Sequence, residues 1–386
     1  MFAPVIEVET RMKELAGVAL RALPQMYDEQ SSLFSQKALP QGDRLVNRGQ
    51  NAYYSAASMV GILAQPAVSP DSVIPVGKAL DALHAACDTD HGAPLLSTTL
   101  WAGTLAGDPR SARLVASLAH SLDVEQTESA ALGQVLRGLV AGADAYSEVR
   151  DAALDLAQRC AVELLDRHSA QSRVFRAMPR RPSGLRSTLG ARITSFASQV
   201  YPLLGLASLY GYRGETPPPA LRQTAEHLVE AQGALGQWWW LYSPSTATVL
   251  EGYPVYSVHQ DGMAFMGLVP VEQLGEGSYA KALALGLEWL YERNELSISL
   301  VTEEPPFICR NIQRVGSDAD AAFGISRANL ARAVARSWHP SSVRDQTEVA
   351  AKDLEPLREC RSYHLGWLLY AYSLTALQRF DWQRGE

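Results

Sequence analysis

Cysteine is scarce in this sequence. Cys87, Cys160, Cys309 and Cys360 are the only four in 386 residues, and no two have Cys-x-x-Cys spacing. Neither a zinc ribbon nor a disulfide framework organises a chain of this kind. Long apolar runs are also missing. Val200–Tyr212 and His364–Leu377 are the greasiest stretches, but Pro, Gly, Ser and Tyr interrupt them. Both fall short of the roughly 20 residues that a bilayer span needs. Basic charge is in deficit, with 34 Lys and Arg against 41 Asp and Glu, a net charge of −7. Nucleic acid is therefore not the expected partner, because neutralising phosphates takes a basic face. No basic segment followed by an apolar one opens the chain, so no secretory signal is read and a cytoplasmic protein is expected. Gly-x4-Gly-Lys-Ser/Thr, Gly-x-Gly-x-x-Gly after a strand, His-Glu-x-x-His and Gly-x-Ser-x-Gly are all absent. Nucleotide-fuelled, dinucleotide-dependent and serine-hydrolase chemistries therefore have no support.

Ala, Leu and Arg dominate what is present. Apolar residues recur at i, i+3 and i+4 in segments of 12 to 20 residues, which is the signature of amphipathic helices. Thirteen are expected, from Val5–Ala22 to Ser362–Phe380, with Pro, Gly and Asp punctuating short linkers. The last is apolar nearly all round (Leu365, Trp367, Leu368, Leu369, Tyr370). Such a helix is buried on every side, as in the inner ring of a two-layer barrel. The expected fold is all-α: a single α/α toroid over 1–386, a barrel of helical hairpins. Short β-hairpin insertions are placed in Gly233–Val258 and Asn294–Arg314, where Val, Thr, Ile and Tyr gather.

Two loops stand out. Arg167–Arg192 holds Arg167, Arg173, Arg176, Arg180, Arg181, Arg186 and Arg192. It is either a solvated surface loop or a lid whose guanidinium forks clamp a phosphate, diphosphate or carboxylate. The other begins at Gln232-Gly233-Ala234-Leu235-Gly236-Gln237-Trp238-Trp239-Trp240 and reaches Tyr253, Tyr256, His259, Gln260 and Asp261. Core packing poorly explains Trp, Tyr, His and Asp spent so freely in a loop, and loops on rigid scaffolds carry function. His259 is a candidate general acid or base, with Asp261 orienting it or acting as the acid itself. Tyr363, His364 and Trp367 on the last helix, and Arg310, are candidate substrate contacts beside Trp238, Trp239, Trp240, Tyr253, Tyr256 and Gln260. Asp88-Thr89-Asp90-His91 is either a polar turn or a holder of Mg²⁺ and a diphosphate. No metal or other cofactor is expected unless the substrate is a diphosphate.

Gln232-x3-Gly236-x-Trp238 resembles the repeat element of squalene and oxidosqualene cyclases. The chain thus resembles the α/α-toroid superfamily of terpene cyclases and protein prenyltransferases. The stretches around Phe196–Pro202, Tyr253–Met263 and Tyr363–Trp367 also resemble uncharacterised bacterial toroid proteins. Their pattern carries Asp where this chain has Ser198, and His and Asp at Leu241 and Ser243. The cyclase resemblance implies an acid in an Asp-x-Asp-Asp motif. Asp318-Ala319-Asp320-Ala321 is the nearest match, with Asp320 in the middle position. An Asp-rich first helical turn is the plainer explanation of the same residues.

The expected function is a terpene or prenyl cyclase-like enzyme. Asp261 or Asp320 would supply the proton and aromatic faces would steady carbocations. The alternatives are a carbohydrate-active lyase, epimerase or hydrolase of an acidic glycan, or a non-catalytic binding relative. The expected partner is a small hydrophobic or anionic molecule.

Overall fold

The computed structural model describes residues 5–178, 191–317, 327–338 and 349–377. Thirteen α-helices lie among them. They are α1 (Val5–Met26), α2 (Ala52–Leu63), α3 (Val76–Thr89), α4 (Ala93–Ala106), α5 (Arg113–Ser121), α6 (Ser129–Ala145), α7 (Arg150–Arg167), α8 (Ala197–Arg213), α9 (Pro219–Glu230), α10 (Ala264–Gln273), α11 (Ala280–Trp289), α12 (Arg327–Ser337) and α13 (Ser362–Leu377).

Two helix types alternate along the chain. In α4 every residue from Leu95 to Gly103 is buried, so no face is left for solvent. In α5, by contrast, Leu114, Val115 and Leu118 are buried while Arg113, Ala116 and His120 are exposed. The first type forms an inner ring: α2 packs on α4, α4 on α6, α6 on α8, α8 on α10, α10 on α13, and α13 back on α2. The amphipathic helices α1, α3, α5, α7, α9 and α11 pack around it. The result is the expected α/α toroid.

Glycine lets the inner helices approach closely. A Cβ on Gly61 of α2 would lie 2.1 Å from the Gly366 carbonyl oxygen of α13. This contact closes the ring between its first and last inner helices. Elsewhere the helix ends are set locally. Asn51 caps α2 by accepting from the Tyr54 N–H at 3.0 Å. Gly107 ends α4 at a φ of 68°, a left-handed conformation that costs glycine little.

Short strands decorate one end. An antiparallel ribbon of β1 (Leu33–Gln41) and β2 (Arg44–Gln50) pairs with β6 (Cys360–Arg361), immediately before α13. Beside it, β4 (Asn311–Arg314) lies between β3 (Val255–Tyr256) and β5 (Leu354–Leu357). Hairpins occur in both segments where they are expected, Leu241–Tyr242 pairing with Val249–Glu251 and Val301–Thr302 with Phe307–Ile308, and the ribbon adds one that the helical pattern does not announce. The four cysteines are free and buried. No described helix is long and apolar enough to cross a membrane.

Candidate functional site

Because inner and outer helices alternate as hairpins, the inner helices all start at the same end of the barrel. Strand β3 delivers the chain to this rim, and a π-helical turn, His259–Met263, leads into α10. Widened turns of this kind recur at functional sites. His259 is 1% exposed. Its ring lies 5.0 Å from that of Trp240, nearly parallel at 15°, with Phe196 at 4.7 Å and Tyr256 at 5.2 Å. Nδ1 is 3.2 Å from the Trp238 carbonyl oxygen. A carbonyl only accepts, so Nδ1 carries the proton and Nε2 is left with a lone pair. Nε2 is buried without a hydrogen-bond partner among the described residues. Burial pushes the imidazole down to about 3, against the pull of the Trp238 carbonyl. The ring is thus neutral at physiological pH. Gln260 braces the same turn, accepting from the Trp238 N–H and donating to the Tyr256 carbonyl.

Asp261 points elsewhere. It is fully buried, and both its oxygens lie against His364 Nε2, at 2.9 and 2.8 Å. Burial raises its carboxyl above the usual range and His364 opposes the rise. The pair ties the π turn to the first turn of α13.

Next to Tyr256 is a cationic cluster. Arg310 stands 5.6 Å from the Tyr256 ring centroid and binds Glu359 at 2.7 Å. Arg361 binds the same Glu359 oxygen at 2.7 Å, and Lys37 reaches the other at 3.6 Å. Three cations thus converge on one carboxylate. Burial pushes the Tyr256 phenol up to about 12, with Arg310 and Arg361 pulling it back. Half-buried Tyr363 packs on Tyr54 at 4.5 Å on the same side.

Deeper in the barrel, side chains meet across the axis. Trp101 of α4 stacks on Trp367 of α13 at 5.9 Å, although α2 separates these helices in the ring. Gln134 of α6 likewise reaches across to the Tyr53 hydroxyl of α2, at 2.8 Å. Arg137, one turn further along α6, lies over Trp101 at 4.4 Å. Sequence reading missed Tyr53, Tyr54, Trp101, Gln134 and Arg137. A signal existed for two of them: Gln134 and Arg137 are polar residues at i and i+3 in an otherwise buried helix.

Of the expected site residues, Trp240, Tyr256, His259, Gln260, Arg310 and Tyr363 come together, and Trp367 lies below them. Trp238 is fully buried, and Trp239 and Tyr253 face a different hollow of about 720 Å³ with Glu295. There Glu295 accepts from the Tyr253 hydroxyl at 2.6 Å, the Trp289 indole at 2.9 Å and the Gln237 amide at 3.0 Å. Asp320 lies outside the described residues, as do Arg180, Arg181 and Arg186. Three of the described arginines of this loop are engaged within the protein. Arg167 is fully buried, binding Glu163 and the carbonyls of Val124, Glu125 and Thr127. Arg173 pairs with Glu230, and Arg192 stacks on Trp338. Asp88 pairs with Arg113, and Asp90 accepts from the Gly92 N–H in a surface turn. Among the described residues no group of three His, Cys, Asp or Glu is placed to hold a metal ion.

No family model matches the chain, and no curated protein matches it. Solved structures do. A possible member of the GH105 family from Salmonella enterica serovar Paratyphi A gives a TM-score of 0.60 at 10% identity, covering 98% of this chain and 96% of that one. A variant of unsaturated glucuronyl hydrolase from Streptococcus agalactiae, complexed with dGlcA-GalNAc6S, gives 0.59 at 10% identity, covering 97% and 92%. A polysaccharide lyase gives 0.52 at 11%, covering 94% and 96%. At such identities the likeness is one of fold. It corrects the terpene-cyclase and prenyltransferase reading, since the neighbours are α/α-barrel proteins of carbohydrate chemistry. The Gln-Trp element misled for a physical reason. The Gln232 amide donates to the Gly236 and Ala282 carbonyls at 3.1 and 2.9 Å, and a Cβ on Gly236 would strike the Leu285 carbonyl oxygen at 2.1 Å. These contacts fasten a loop to an outer helix, a need that any helical toroid has.

Proposed function

We propose that this chain is a carbohydrate-active enzyme that cleaves a uronate-containing saccharide by β-elimination. The observation that carries the reading is the buried, unpartnered Nε2 lone pair of His259 beside Tyr256, with Arg310 over the Tyr256 ring. The fold neighbours support the substrate class: one is complexed with an unsaturated glucuronyl saccharide and another is a polysaccharide lyase.

Each group has one task. The Arg310 guanidinium faces the substrate carboxylate and stabilises the charge that builds on it when the neighbouring carbon loses its proton. His259 Nε2 takes that proton, and Trp238 holds the imidazole in the tautomer that allows it. The Tyr256 hydroxyl gives a proton to the leaving glycosidic oxygen as the carbon–oxygen bond breaks and the double bond forms. Trp240 and Tyr363 offer faces on which sugar rings stack.

Uronate oligosaccharides incubated with the protein should gain the ultraviolet absorbance of the conjugated unsaturated product. His259→Gln and Tyr256→Phe should each lower kcat by about 10²- to 10⁴-fold. Products without a new double bond, or His259→Gln turning over at the wild-type rate, refute the reading.

A further inference from the structure

The elimination leaves one cation of the barrel axis unused. Arg137 is half-buried, and its guanidinium touches the Trp101 face and no carboxylate among the described residues. The buried guanidiniums elsewhere each meet a carboxylate: Arg167 meets Glu163, and Arg310 and Arg361 meet Glu359. A cation partly withdrawn from water with no counter-charge beside it gains from a ligand's anion. Two more polar atoms beside it lack partners. Trp101 Nε1 is a buried donor and Gln134 Oε1 a buried acceptor. Trp101 is itself held in place by stacking on Trp367. A fork, a donor and an acceptor are what the anionic group of a sugar and a neighbouring hydroxyl need.

We infer that Arg137, Gln134 and Trp101 form an anion subsite on the barrel axis, below the His259 rim, holding a carboxylate or sulfate on the sugar next to the reacting uronate. This rests on the reading above and narrows its substrate to saccharides with anionic groups on adjacent units. The depth agrees. Tyr363 beside the cationic rim and Trp367 beside Trp101 are one helical turn apart, roughly 6 Å along α13. Tyr370 packs edge-on against Trp101 at 4.6 Å on the turn below.

The test is calorimetric titration of wild type, Arg137→Met and Arg137→Lys with three disaccharides: a uronate with a neutral neighbour, a uronate with a sulfated neighbour, and a diuronate. Thermal melts establish that the variants fold. Wild type should prefer one of the dianionic probes, and which one identifies the group as sulfate or carboxylate. Arg137→Met should lower that preference by about tenfold to a hundredfold, the worth of a charge-assisted hydrogen bond, and Arg137→Lys should restore part of it. A wild type without preference, or a preference unchanged in Arg137→Met, overturns the subsite while leaving uronate turnover intact. A wild type that neither binds nor cleaves any of the three overturns the proposed function and the subsite with it.

Discussion

The neutral state of His259 has a measurable consequence for stability. Free in the unfolded chain, a histidine takes its proton near pH 6.5; buried here, His259 does so only at about 3. Between these values the unfolded chain binds a proton that the fold refuses, so stability falls as pH falls. The contribution is whole above about pH 6.5 and is lost progressively towards 3. One pH unit is worth about 1.4 kcal/mol, so acidification from pH 6.5 to 5 should cost roughly 2 kcal/mol through this residue. Unfolding entropy of about 2 cal/mol/K per residue over 386 residues gives roughly 0.8 kcal/mol per degree, hence a loss of about 2 to 3 °C in Tm. His259→Gln keeps a donor for the Trp238 carbonyl but does not titrate. The assay is Tm and urea midpoint for both proteins at pH 7 and pH 5. The other histidines act equally in each, so the difference isolates His259. Wild type should lose about 2 kcal/mol more than the variant on acidification. Parallel losses would refute the claim that the fold holds this imidazole neutral.

Three further outcomes follow from packing and pairing. Arg167→Met should cost about 3 to 5 kcal/mol in chemical denaturation, because it strands the carbonyls of Val124, Glu125 and Thr127 and the Glu163 carboxylate. Gly61→Ala drives a methyl into the Gly366 carbonyl at 2.1 Å, and a loss of about 1 to 3 kcal/mol or more is expected in the same assay. Asp261→Asn and His364→Gln should couple in a double-mutant cycle by about 0.5 to 3 kcal/mol, and each should lower kcat more than it raises KM, since the pair positions the π turn. Independent effects would mean that the pair does not act as a unit.

How much of this was legible in the residues depended on periodicity. The inner helices announced themselves because few charged residues interrupt them: Leu365 to Leu369 has no solvent face, and a ring of such helices is a toroid. The ribbon at Leu33–Gln50 did not, since Gln36, Lys37 and Pro40 interrupt its apolar residues and its strength lies in pairing with distant Cys360–Arg361. The aromatic segment was legible as a site but not in its division. Trp238, Trp239 and Trp240 are consecutive, yet a loop turns one into the core, one towards Glu295 and one onto His259. Tyr53, Trp101 and Arg137 escaped because only ring closure brings α2, α4, α6 and α13 to a common axis. Asp261 drew attention by its position two residues from His259. The π turn sends the two side chains to different neighbours, one to His364 and the other to Trp240.

In the proposed elimination, burial is also what selects the proton carriers. Four carboxylates are buried among the described residues, and each meets a cation or a histidine: Asp108 with Arg110 and His84, Glu251 with Arg314, Arg332 and Arg336, Asp261 with His364, and Glu359 with Arg310, Arg361 and Lys37. A paired-carboxylate hydrolysis needs one acid protonated in a dry pocket and a second ionised across the bond; burial does raise Asp261, but both its oxygens are turned onto His364. Burial moves the two uncharged groups the opposite way, His259 down to about 3 and Tyr256 up to about 12. At neutral pH the first is therefore in its base form and the second in its acid form. Protonation of His259 would set the acid limb of kcat/KM, and ionisation of Tyr256 the alkaline limb. The profile should be flat between about pH 5 and 9. Measured by initial rates on a uronate oligosaccharide, a fall of kcat/KM inside that window would take the proton chemistry away from His259 and Tyr256 and end the elimination mechanism.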